Sequence, residues 1–434
     1  MGLIENPKIQ SYIRDVCSQI KFRAIHQDIK LELKTHLEEL VEEYIKEGCS
    51  ENEGVNKAIA QMGDADVVGQ QLNTIHRSKP DWSLLALSFI LINIGLIAMY
   101  LLEKFSLSPS LTIFDRSLFY ALIGWTVVIG LYFFDYRKLE EHSFKIYGGT
   151  MLLLAGTLLF GISANGQKIY LTIGPLVINT FSISPIFFSI ALAGIFKTNY
   201  WNQPKKICQG LILVLLPFLF LLNGSLVTAV IYTVTCITLM IASGARPKIL
   251  LLLTGMISVI MAWLIISAPY RLERFLTFIN PDRDPQGSGY LQNQLNNLIT
   301  NSGLLGQGMT LEPKIIPDLH TDFIFSYITF TFGWVAGGCL AALVILFILR
   351  MTRIASLVKD NYARMLVIGF AAIFTIQFVW NIFMNLGLAP ISGVGLPFIS
   401  FGGSQLVFNG AVLGVISSIY RRRNISSTLP SIGK

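Results

Sequence analysis

From Asp81 onward the chain is a series of long apolar runs separated by short polar breaks. A run of about 20 apolar residues is long enough to cross a hydrocarbon core about 30 Å thick. The pattern predicts about ten transmembrane helices, at 83–102, 117–134, 146–163, 181–197, 207–223, 225–243, 248–268, 323–349, 365–388 and 404–420. The fifth and sixth are parted only by Asn223-Gly224, so they form either a tight hairpin or a kinked pair. Residues 1–80 follow a different period. Ile29, Leu33, Leu37, Leu40, Val41 and Tyr44 recur every three or four positions and predict a helix from about Asp28 to Lys46. Ser50 with Glu53 has the spacing of a capping box, and Asp64 suits the start of a further helix ending near Arg77. Such short stripes must pack on one another, so a bundle of three or four helices is expected there.

The expected fold class is therefore all-α: a small helical bundle (1–80), a polar break at Ser78-Lys79-Pro80, a polytopic membrane domain (81–424) and a short tail (425–434). Composition agrees. Of 434 residues 53% are hydrophobic and only 14% charged, and the mean hydropathy is +0.59. A soluble surface needs more charge than that. The net charge of +7 is not a nucleic-acid signature, because much of it sits in short loops between the apolar runs. Arg137, Lys138 and Lys145 follow the second run, and Lys197, Lys205 and Lys206 the fourth. Arg246 and Lys248 follow the sixth, Arg350, Arg353, Lys359 and Arg364 the eighth, and Arg421, Arg422 and Arg423 the tenth. Lys and Arg favour the cytoplasmic side. A bacterial cell-membrane protein with both termini cytoplasmic and residues 269–322 outside is the expectation. The five cysteines have no paired spacing, so neither a disulfide framework nor a zinc site is expected.

The 269–322 loop is too long for a simple connector. It opens with Tyr270-Arg271-Leu272-Glu273-Arg274, which carries two guanidiniums three residues apart. Arg donates two parallel hydrogen bonds to phosphate oxygens; the same pair would equally anchor to lipid headgroups. The loop ends at His320-Thr321-Asp322-Phe323, where a carboxylate stands at the edge of an apolar span. An ionisable group there is costly and is a functional candidate by default.

These motifs carry a resemblance. Phe278-Ile279-Asn280-Pro281, Asp284-Pro285-Gln286-Gly287-Ser288-Gly289-Tyr290, Gln294, Gly303-Leu304-Leu305-Gly306-Gln307-Gly308 and His320-Thr321-Asp322-Phe323-Ile324-Phe325 are similar to the outer loop of the SEDS family (shape, elongation, division and sporulation). Asn381, Met384-Asn385-Leu386-Gly387 and Leu396-Pro397-Phe398-Ile399-Ser400-Phe401-Gly402-Gly403-Ser404 look like its other signature. The resemblance covers roughly residues 83–423. It implies a membrane glycosyltransferase that polymerises lipid II, the undecaprenyl-pyrophosphate-linked precursor, in partnership with a class B penicillin-binding protein. On that reading Asp322 is the catalytic residue, and Arg271, Arg274, Gln294, His320, Thr321 and Ser404 are candidates for substrate contact. His320 would orient the carboxylate or touch phosphate, or serve only the start of a helix; Ser404 would touch substrate or cap the last helix. No cofactor is implied with certainty, although a divalent cation would suit a pyrophosphate leaving group.

The chain also departs from the family pattern. In its fourth span the family carries Gln-Pro-Ser-Glu followed three residues on by Lys; here the stretch is Ser184-Pro185-Ile186-Phe187 with Ile190, and only the proline survives. An aspartate before the sixth becomes Ser225, and two glutamates after the signature become Phe330 and Thr331. Two expectations follow: an active polymerase, or a non-catalytic scaffold or lipid-II-binding or transport protein that regulates wall synthesis.

Overall fold

The computed structural model describes residues 6–21, 26–75, 80–106, 112–164, 167–173, 176–196, 200–287, 289–309 and 316–423. Arg77, Ser78, Lys79, Lys197, Ser288 and the 425–434 tail lie outside them. The chain divides into two compact units, residues 1–80 with 420–434, and residues 81–419.

The first unit contains α1 (Pro7–Ser18), α2 (His26–Lys46), α3 (Glu51–Met62) and α4 (Ala65–Ile75). Their starts are set locally. Asn6 accepts from the Lys8 amide, the Ser50 amide and hydroxyl both donate to Glu53, and Asp64 accepts from the Asp66 amide. The apolar stripes close one core, in which Val16, Leu37, Val41, Val55 and Ala58 are fully buried.

The second unit begins with α5 (Trp82–Leu101), α6 (Ile113–Phe133), the short α7 (Arg137–Glu141) and α8 (Ser143–Phe160). Next come α9 (Thr180–Ile195), α10 (Pro204–Leu221), α11 (Leu226–Ala242) and α12 (Pro247–Ile266). The long loop holds α13 (Pro269–Ile279) and α14 (Tyr290–Thr300), and α15 (Ile324–Leu357), α16 (Asn361–Asn385) and α17 (Gly403–Arg421) complete the chain. Among the described residues 8 helices are long and apolar enough to span a membrane; α9 and α11 are apolar but shorter. The chain is a multi-pass membrane protein. Helices α9, α11 and α16 are its buried centre, and Leu152, Leu251 and Val259 keep large apolar side chains on the outer faces.

Three details refine the sequence reading. Residues 162–179 form a small antiparallel sheet, β1 (Ile162–Ala164), β2 (Gln167–Ile173) and β3 (Leu176–Asn179), in that order. The all-α class holds around it, because the sheet is confined to one loop. Helices α10 and α11 are a true hairpin: they pack on each other, with the Tyr232 hydroxyl of α11 donating to Val214 O of α10 at 3.1 Å, and the turn lies close enough to α9 that a Cβ on Gly224 would strike the Phe181 ring. Ser225 then caps α11 by accepting from the Thr228 amide at 3.3 Å. The position where the family has an aspartate thus keeps a structural job here. Finally, α15 is broken at Gly333, whose φ of 84° and ψ of 174° are not helical. At the far end of α15, Arg350 makes a two-pronged ion pair with the fully buried Asp81 at 2.6–3.1 Å. Asp81 also caps α5 through the Leu84 amide.

Candidate functional site

Asp322 lies in the turn just before α15. The turn is wound on one carbonyl: Asp318 O accepts from the amides of Thr321 (3.1 Å), Asp322 (3.0 Å) and Phe323 (3.3 Å). Asp318 pays for this with a left-handed φ of 55°, a conformation that Asp tolerates better than most residues. The Thr321 hydroxyl also donates to the Asp318 carbonyl at 3.2 Å, so its polar atom serves the turn itself.

Two asparagines one helical turn apart on α16 then hold the turn in place. Asn381 Nδ2 donates to the Asp322 carbonyl at 2.9 Å and to Val394 O at 2.7 Å. Asn385 Nδ2 donates to the same Asp322 carbonyl at 3.1 Å. Asn385 Oδ1 accepts from the Ser326 amide at 3.2 Å and the Ser326 hydroxyl at 2.6 Å. One of the free amides at the start of α15 is thereby satisfied. From the other side, the Ser400 hydroxyl donates to Thr321 O, and the Phe401 amide donates to His320 O at 2.8 Å. Both asparagines are fully buried.

The backbone of Asp322 is therefore fixed while its carboxylate is left without a hydrogen-bond partner among the described residues. Gly393 lines one side; a Cβ there would sit 3.7 Å from Asp322 Oδ2. Burial, and secondarily the nearby Asp318 carboxylate, push the Asp322 carboxyl up to about 7. Burial lowers the His320 imidazole below its ordinary value, against the opposing pull of Asp318. His320 sets its ring at a tilt against that of Phe401, with centroids 5.5 Å apart, and lies four residues before α15 begins, not at the helix start.

The other candidates fall elsewhere. Arg271 and Arg274 are on α13, which packs on α12. Arg271 Nε donates to the Tyr270 hydroxyl at 2.8 Å and Nη1 to Leu264 O at 3.4 Å, whereas Arg274 is exposed. Neither guanidinium pairs with Asp322 among the described residues. Gln294 is half-buried on α14, a helix that packs on α15 and sets Gln292 and Asn296 against Gly387 at the end of α16. Ser404 is inside the first turn of α17 rather than ahead of it, so it is not the cap. Gly403 does permit close approach, since a Cβ there would strike the Tyr120 ring. Among the described residues no group of three or more His, Cys, Asp or Glu is placed to hold a metal ion. The asparagine clamp was visible in the sequence only as two residues of a motif.

Known proteins show where the fold recurs. Stage V sporulation protein E of Bacillus subtilis is 28% identical over 371 residues, covering 80% of this chain and 99% of that protein. A probable peptidoglycan glycosyltransferase FtsW of Thiomicrospira cyclica is 29% identical over 361 residues, covering 78% and 91%. One chain of a solved peptidoglycan synthase complex, described as coordinating polymerization and crosslinking, superposes with a TM-score of 0.69 at 25% identity, covering 79% of this chain and 98% of that one. The rod shape determining protein RodA of Thermus thermophilus has the same fold, with a TM-score of 0.61 at 23% identity over 79% of this chain and 97% of its own. A family model described as "Cell cycle protein" and named for FtsW, RodA and SpoVE matches residues 81–425, and the chain belongs to that family.

Proposed function

We propose that this chain is a membrane glycosyltransferase that joins lipid II units into glycan strands. The observation that carries the reading is the Asp322 carboxylate, held by its backbone, without a hydrogen-bond partner at its oxygens among the described residues, and poised near 7. Glycan transfer needs a base to take the proton from the acceptor sugar hydroxyl as that oxygen attacks the donor's anomeric carbon. The bond to pyrophosphate breaks, the glycosidic bond forms, and the polyprenyl pyrophosphate leaves with its electron pair. A general base works best when its pKa lies near the operating pH. Arg274, the exposed guanidinium of α13, is the proposed contact for the leaving phosphates, with Arg271 beside it. His320, neutral at pH 7, would donate or accept a hydrogen bond at the edge of the same turn. Gln294 and Thr321 frame that end of the bundle, and Ser404 is the candidate contact from α17.

The positive charge of the alternate loops supports an orientation with both termini in the cytoplasm and Asp322 outside. Likeness to a chain of a synthase complex supports a class B penicillin-binding protein as partner. The test is polymerisation of radiolabelled lipid II by the purified full-length protein, alone and with that partner. Asp322→Asn should insert normally and make glycan at least about 10²-fold more slowly. Near-normal product from a well-folded Asp322→Asn protein would remove Asp322 from the mechanism.

A further inference from the structure

The glycine-rich stretch Gly303–Gly308 belongs to the long 269–322 loop that the sequence places outside the membrane. In the structure it is bonded into the break of α15. Gln307 N donates to Phe330 O at 2.9 Å and Gly308 N to Thr331 O at 3.3 Å. In return Trp334 N donates to Gly303 O at 3.0 Å and Val335 N to Leu304 O at 3.3 Å. The carbonyls and amides that a broken helix leaves free are thus paired with the loop. The fit needs glycine on both sides. Gly306 has φ 89° and Gly333 φ 84°. A Cβ on Gly306 would strike the Thr331 carbonyl, and one on Gly333 the Leu304 carbonyl.

The depth of this junction can be read along α15. Arg350, paired with Asp81, marks a polar boundary at one end. From there back to Gly333 the helix rises about 25 Å at about 1.5 Å per residue, and the hydrocarbon core is about 30 Å thick. The break thus falls just inside the opposite hydrocarbon boundary. What surrounds it is apolar and uncovered: Leu304 and Leu305 are 74% and 84% exposed, and Phe332, Trp334 and Val335 continue the patch onto the outward face of α15. The sequence from Tyr290 to Leu311 carries no charged residue.

We propose that residues 303–308 are a re-entrant turn seated in the membrane leaflet on the Asp322 side, with lipid acyl chains as the partner of Leu304 and Leu305. Irregular backbone is tolerated at membrane depth only where its polar groups are paired within the protein, and the four bonds to the broken helix meet that condition. Water would leave two neighbouring leucines exposed for no gain. The turn fastens the middle of the long loop to the bilayer, between α14 and the turn that bears Asp322. The inference rests on the chain being a membrane protein and is independent of its chemistry.

The test places a bimane label at Leu305→Cys in full-length protein that lacks its native cysteines, reconstituted in lipid nanodiscs. Gln286→Cys, in the exposed turn before α14, is the aqueous reference. Phospholipids with a doxyl group on the acyl chain should quench the label at 305, and iodide should quench it several-fold less than at 286. Gly306→Ala, by blocking the fit against Thr331, should move the label at 305 toward the iodide response of the reference. Equal iodide quenching at 305 and 286 with Gly306 in place would overturn the proposal. Shielding from both quenchers would also overturn it, because a protein surface rather than lipid would then cover the patch. An unchanged profile in Gly306→Ala would show that the helix break does not seat the turn.

Discussion

A carboxyl that titrates at about 7 leaves two signatures at Asp322. Polymerisation that needs the ionised form should fall as pH drops through about 7, an acid limb well above the ordinary carboxylate range, read from initial rates at saturating lipid II. Asp322→Asn should lower the rate by about 10²–10⁴, the usual contribution of a general base. In stability the sign is opposite. The folded state keeps its proton up to about 7, whereas the unfolded chain releases it near the ordinary value. The resulting preference for the folded form is full below that ordinary value and lost as pH rises through about 7. Thermal unfolding in detergent should therefore show Asp322→Asn losing less stability than the native protein between about pH 5 and about pH 8. Asn381 offers a second test. Asn381→Ala strips a donor from two carbonyls, those of Asp322 and Val394, at a cost of about 1–3 kcal/mol. Its diagnostic effect is on the pH profile: a looser, wetter carboxylate should move the acid limb to lower pH. A purely structural asparagine would reduce the amount of active protein and leave the inflection in place. The sequence displays Asp322 because an acid at the edge of an apolar run stands out. It hides the role of Asn381 and Asn385, because their target is a backbone carbonyl some 60 residues away in sequence, and a carbonyl has no letter of its own.

Among the elements, the apolar helices were legible because their cause is local: a run of side chains that must leave water. The break in α15 was not, since Phe330 to Val335 is as apolar as its neighbours and the glycine that breaks it depends on Gly306 across the junction. The sheet at 162–179 is set by pairing rather than by any single run. Helix α13 divides the two readings of its arginines. Its Leu272, Phe275 and Ile279 are exposed, as in a helix lying at a membrane surface, and Arg271 is partly occupied by Tyr270 and Leu264. Arg274→Ala should weaken binding of a pyrophosphate-linked lipid more than that of a neutral analogue, and Arg274→Lys should restore it only in part. Equal losses for the two ligands would assign the helix to headgroup anchoring. The ion pair between α5 and α15 makes a separate prediction. Asp81→Asn leaves Arg350 facing a neutral group in a largely buried site, and breaking such a pair costs about 3–5 kcal/mol. A lower midpoint of thermal unfolding is the readout, and the loss should fall toward the lower end of that range because Arg350 keeps some contact with solvent.

For the whole molecule, the question is what residues 1–80 contribute. Their helices close a core of their own from Ile9 to Ala58, so the bundle has no need of the membrane domain to bury its apolar faces. The membrane unit in turn begins at Asp81, whose side chain caps α5 and pairs with Arg350. A truncated protein should therefore start just ahead of Asp81, near Lys79, and keep that carboxylate. On the proposed orientation, with the N-terminus cytoplasmic and Asp322 outside, the bundle and the reacting sugar belong to opposite sides of a hydrocarbon core about 30 Å thick. We therefore propose that the bundle serves regulation or the choice of partner rather than the chemistry. The truncated protein should insert normally, retain glycan synthesis from lipid II, and differ from the full chain in its response to the cytoplasmic setting or to the partner. Two measurements decide this: polymerisation by the truncated protein, and its unfolding midpoint as a check on the membrane unit. Full loss of glycan synthesis in a truncated protein that inserts and unfolds like the parent would make the bundle part of the enzyme and overturn the division of labour argued from its closed core.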